Sequence, residues 1–145
     1  MAKALLGFER LTIGSPKFAH MALLRLEELS QQCGAADDPV YVANLVRLQL
    51  DVADLITTYG RFAERIKRGE TPGAEMSMLK LWSTETFQRV AEQMVELAGE
   101  AGLVQGGAYG VDALAYYFFA RPGTIFAGSN EIQRNIIAKQ VLRLP

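Results

Sequence analysis

At 145 residues, half of them hydrophobic and 21% charged, the chain has the composition of one globular domain that can bury a core without staples. A net charge of −1 with no cluster of Lys and Arg argues against a nucleic-acid surface. Cys33 is the only cysteine and His20 the only histidine, which removes an intrachain disulfide and a histidine-based metal site and points to a reducing compartment.

The opening "MAKALLGFER" is too short for a signal peptide or a spanning helix, so a soluble, cytoplasmic protein with no membrane partner is expected. Gly14-Ser15-Pro16 marks a bend, because Pro16 lacks a backbone donor. A first helix follows, with Ala19, Ala22, Leu26, Leu29 and Cys33 on one face. The clearest helix runs from Val40 to about Arg68. Its seam is Leu45, Leu48, Val52, Leu55, Tyr59, Phe62 and Ile66, and it is about 40 Å long.

Asp37-Asp38-Pro39 suits the start of that helix, and Gly69 to Gly73, with Pro72, stops it. A third helix spans about Ala74 to Ala98, with Leu79, Trp82, Thr86, Val90, Met94 and Leu97 on one face. After a glycine-rich connector (Gly99 to Gly110), a short helix from Asp112 to Ala120 and a last one from Ser129 to Leu142 complete the chain. The pattern predicts an all-α, up-down four-helix bundle with additional short C-terminal helices, one domain over 1–145.

Most polar residues read as solvated faces, among them Glu27, Glu28, Glu64 and Glu92. The glycine-rich connector follows no strand and is not a dinucleotide fingerprint. Two places stand out, Glu9-Arg10 and the turn in "TIFAGSNEIQRN". There Gly128 allows close backbone approach, Ser129 is a suitable N-cap, and free N–H groups at the helix start can donate to a ligand oxygen. An ordinary capped helix start explains the same residues.

"TIFAGSNEIQRNIIAKQVLRLP" resembles the C-terminal signature of the acyl-CoA dehydrogenase family. "LLGFER" resembles the start of that family's C-terminal domain. "GETPGAEMSMLKLWSTE" resembles the loop and third helix of the bacterial large-subunit, pimeloyl-CoA dehydrogenase-like type. The resemblance covers essentially the whole chain but only the last part of a family member, whose N-terminal helical and middle β domains would be absent.

It implies FAD as cofactor, α,β-dehydrogenation of an acyl-CoA thioester in fatty or dicarboxylic acid metabolism, and electron-transferring flavoprotein as acceptor. It also implies a homo- or hetero-oligomer built through the bundle, and an isolated domain that is inactive. The commonest family arrangement has its catalytic glutamate at the position of Ala127, whose methyl cannot accept a proton. A second arrangement places it in a segment like "GFER", which makes Glu9 the expected general base.

The resemblance further gives the Ala127 backbone N–H to the thioester carbonyl. It gives Gly128, Ser129 and Glu131 to the flavin, and Phe126 and Arg10 to the substrate. Two departures weigh the other way. "CGAADDPVY" offers two aspartates and no arginine for a neighbour's FAD, and Gly99-Glu100-Ala101-Gly102 replaces paired glycines. These fit the alternative of a structural or assembly subunit of a heteromeric enzyme that does not itself bind flavin.

Overall fold

The computed structural model describes residues 9, 11–104 and 110–145. Residues 9 and 11–13 are helical and lead through the Pro16 turn into α1, Lys17–Gln32. A 3-10 turn, Ala35–Asp37, precedes the long α2, Pro39–Lys67, and α3 is Met76–Ala98. A 3-10 segment, Gly99–Leu103, leaves α3, and α4 is Ala113–Ala120. The 3-10 turn Arg121–Thr124 leads to the short α5, Asn130–Ile136, which widens into a π turn, Ile137–Val141. No β-strand occurs among the described residues, and no described helix is long and apolar enough to cross a membrane.

The expected seams are the observed core. In α1, Ala19, Ala22, Leu26 and Leu29 are buried. Leu48, Val52, Leu55 and Phe62 of α2 are buried as well, with Leu45, Tyr59 and Ile66 packed against them. A leucine as fully buried as Leu26 or Leu55 contributes about 2 kcal/mol of transfer free energy. The start of α2 is sharper than composition alone suggested. Asp38 is its N-cap, accepting the Val40 N–H at 2.8 Å, and Pro39 fills the first turn.

α3 departs from a one-faced amphipathic helix. It packs against α1, α2, α4 and α5 at once, so it is buried on two sides. Its apolar face carries Leu79, Val90 and Met94, as the spacing predicts. Its other buried side carries small and polar residues, Ser77, Lys80, Ser83, Thr84 and Ala91, together with Phe87. That polar side receives the C-terminal segment.

The last helix is shorter than the expected Ser129 to Leu142, with α-helical geometry ending at Ile136. Ser129 does occupy the N-cap position, but its hydroxyl makes no capping bond. The hydroxyl lies near the Glu131 carboxylate instead, which is held below its usual range by Ser129 first and by its own backbone N–H second.

Candidate functional site

Lys80, Thr84, Gln88 and Glu92 recur every fourth residue and form one ridge along α3. Each of them engages the segment between α4 and α5. Arg121 donates to Glu92 Oε1 at 2.6 Å, and Gln88 Nε2 reaches Ala120 O at 3.4 Å. Asn130 Nδ2 donates to Thr84 Oγ1 at 3.3 Å and Glu85 Oε1 at 3.1 Å. Lys80 Nζ donates to Asn130 Oδ1 at 2.6 Å and to Thr124 O at 3.1 Å.

Lys80 is fully buried. Burial pushes its ammonium below the usual lysine range, and the nearby carboxylates Glu131 and Glu85 oppose that shift.

Held this way, the chain from Ile125 to Ser129 makes a tight turn. Ala127 sits at φ 55°, a left-handed conformation that strains a residue with a Cβ, and Gly128 follows at φ 90°. From beneath, the buried Gln133 donates its Nε2 to Ala127 O at 2.9 Å and Gly128 O at 3.2 Å. No oxygen among the described residues accepts the N–H of Ala127. The turn therefore presents that N–H as an unused donor.

Beside the turn lies an apolar recess of about 180 Å³, lined by Thr12, Ile13, Phe18, Phe87, Phe119 and Phe126 among others. It shares Phe18, Phe87 and Phe119 with a second recess of about 270 Å³ that extends to Met21, Ala115 and Tyr116. The three shared rings pack edge-on or stacked at 5.2 to 6.0 Å. Thr12 and Ile13 stand one helical turn after Glu9, so the Glu9 segment and Phe126 border one cavity from opposite ends of the sequence.

A larger cavity of about 660 Å³ lies between α2 and α3. Arg47 and Arg89 there face Asp51, Asp54, Glu92 and Glu96. It is an open groove with a surplus of carboxylates over arginines, and its lining includes no residue of the terminal turn.

The sequence profile of the acyl-CoA dehydrogenase C-terminal domain matches residues 1–142. The chain belongs to the acyl-CoA dehydrogenase family. It is 33% identical over 147 residues to acyl-CoA dehydrogenase IpdE1 of Mycobacterium tuberculosis, covering 100% of this chain and 38% of that protein. It is 35% identical over 120 residues to acyl-CoA dehydrogenase IpdE1 of Mycolicibacterium smegmatis, covering 83% of this chain and 29% of that protein. The chain thus spans well under half the length of these relatives.

Among solved structures, a Tcur3481-Tcur3483 steroid ACAD variant superposes with TM-score 0.83 at 18% identity, over 99% of this chain and 39% of that one. The ChsE4-ChsE5 complex from Mycobacterium tuberculosis gives 0.74 at 24% identity, over 90% and 36%. These two likenesses establish the fold.

Within this acyl-CoA dehydrogenase domain, the expected site residues fall into two groups. Phe126, Ala127, Gly128, Ser129 and Glu131 are contiguous in the terminal turn, with Phe126 and Glu131 exposed and the other three half-buried. Glu9 is helical and exposed, and Arg10 lies outside the described residues. Lys80 and Gln133 did not stand out in the sequence. The four-residue spacing of Lys80, Thr84, Gln88 and Glu92 lies off the expected apolar face and reads as a solvated ridge, so nothing local marks Lys80 as buried.

Ile125, Phe126 and Ile132 are apolar side chains left exposed in and beside the turn, a surface whose chemistry suits a flat aromatic group. The loop at Gly34 to Asp38 offers no cation, and one of its aspartates is already engaged as the α2 N-cap.

Proposed function

We propose that this chain is the C-terminal domain of a flavin-dependent acyl-CoA dehydrogenase that removes the α and β hydrogens of an acyl-CoA thioester. The observation that carries the reading is the strained turn with its unused Ala127 N–H, beside an apolar recess. A thioester carbonyl that accepts the Ala127 N–H gains stabilisation as negative charge develops on its oxygen, which acidifies the α-carbon. Glu9 takes the α-proton on its carboxylate; Ala127 offers no competing base. FAD, when bound, would supply the acceptor for the β-hydride, with electron-transferring flavoprotein as the acceptor of its electrons.

Ser129 and Glu131 are assigned to the flavin and Phe126 to the acyl group. Arg10 sits beside the base in sequence and is assigned to substrate. Among the described residues the recess lining contains no Lys or Arg, which favours an uncharged acyl group over a dicarboxylyl one in that recess. The remaining flavin and CoA surfaces come from residues outside this chain, in further domains or a partner subunit of a homo- or hetero-oligomer.

A second reading rests on the cation-free loop at Gly34 to Asp38. In that reading the chain builds the wall and the interface of a heteromeric enzyme whose flavin is held by other subunits. Acyl-CoA-dependent bleaching of flavin absorbance separates the two. Bleaching that vanishes with Glu9→Gln while flavin stays bound supports the catalytic reading. Bleaching indifferent to Glu9 supports the structural one.

A further inference from the structure

A fully buried lysine is costly unless its donors are used, and a side chain needed only for packing would be Met or Leu. Lys80 is such a residue at 0% exposure, and nothing in the chemistry above engages it directly. Its two acceptors lie on opposite sides of one turn. Thr124 O precedes the turn and Asn130 Oδ1 follows it. No carboxylate hydrogen-bonds the ammonium among the described residues; Glu85 and Glu131 act on it only through their charge.

Between those two anchor points Ala127 is held at a positive φ, with its N–H unaccepted among the described residues. A backbone kept in a sparsely populated conformation needs its surroundings to over-determine it. Gln133 fixes the carbonyls at the apex of the turn, and Lys80 fixes its two feet.

We propose that Lys80 is a positioning residue for the thioester-binding turn. By donating to Thr124 O and Asn130 Oδ1 it clips both feet of the turn to α3 and so sets the direction of the Ala127 N–H. The role rests on the reading of that N–H as the donor to the thioester carbonyl. A point-like ammonium suits it because its donors can gather acceptors from two separate segments at once.

The test uses Lys80→Met and Asn130→Leu in the complete enzyme, singly and together. Hydrogen exchange is read at residues 124–130 and in α2, and the carbonyl stretch of bound acyl-CoA by difference infrared spectroscopy. Lys80→Met is expected to speed exchange at 124–130 at least about tenfold with α2 unchanged, as local opening without global unfolding does. The thioester carbonyl stretch should move back toward its solution value. The value of kcat should fall about 100-fold while KM changes little, as a misaimed transition-state donor predicts.

Asn130→Leu should give part of each effect, and the double variant less than the sum. Unchanged exchange at 124–130, or faster exchange with an undisturbed carbonyl stretch, overturns the role of Lys80. A carbonyl stretch that is unshifted in the unsubstituted enzyme overturns the thioester reading itself, and the exchange result still decides whether the clip exists.

Discussion

The side-chain amide of Gln133 lies directly under the strained residue of the terminal turn, donating to Ala127 O at 2.9 Å. A buried glutamine spends its donors on two successive carbonyls, and its Oε1 is left without a partner. The arrangement leaves no slack at Gly128, where a Cβ would stand 2.9 Å from Gln133 Nε2. Gly128→Ala is therefore expected to destabilise by about 1–3 kcal/mol through the positive φ and the displaced clamp. Urea unfolding of the purified chain, read by circular dichroism, measures it.

Ala127 tests the opposite substitution. An alanine at φ 55° carries about 1 kcal/mol of strain, and glycine relieves it while losing a comparable amount in chain entropy. Ala127→Gly should leave stability within about 1 kcal/mol of the parent. It should also retain turnover, because the thioester uses the backbone N–H and not the methyl. A large loss of turnover would mean that the methyl matters for packing against the substrate.

Asp51 ties α2 to α3. It accepts Trp82 Nε1 at 2.7 Å and Thr86 Oγ1 at 2.9 Å, and it pairs with Arg89. Burial pushes its carboxyl up, but the hydrogen bonds from Trp82, Arg89 and Thr86 outweigh that and hold it below the usual range. A carboxyl depressed in the folded state contributes stability that is full above its unfolded pKa of about 4 and is lost as pH falls through the folded value. Asp51→Asn should cost about 1–2 kcal/mol at neutral pH. The gap between variant and parent should narrow as denaturant titrations move from about pH 6 to pH 3.

How much of this was legible differs by element. The seam from Leu45 to Ile66 was readable because an apolar period of three and four has one solution, a helix with that face buried. Lys80 was not, since a lysine on a helix reads as solvated. Its burial is caused by Thr124 and Asn130, which fold back onto it from more than forty positions downstream. Ser129 was read by type as a cap, but a carboxylate two residues on competes for its hydroxyl. Glu92, read as solvated, is paired with Arg121, another partner far along the chain. Lys80 and Glu92 were hidden because their partners are distant, whereas Ser129 was hidden by a competing local one.

The division of labour between Glu9 and Ala127 is the centre of the proposed mechanism, and one measurement reaches it directly. In the complete enzyme, the rate of flavin bleaching by acyl-CoA is compared among the parent, Glu9→Gln and Glu9→Gln/Ala127→Glu. Removing the base should slow bleaching about 10²–10⁴-fold with flavin retained. Placing a carboxylate at 127 should restore at least about tenfold of that loss, because it enters from the turn onto the same α-carbon. Parent-like bleaching by Glu9→Gln alone would contradict the assignment.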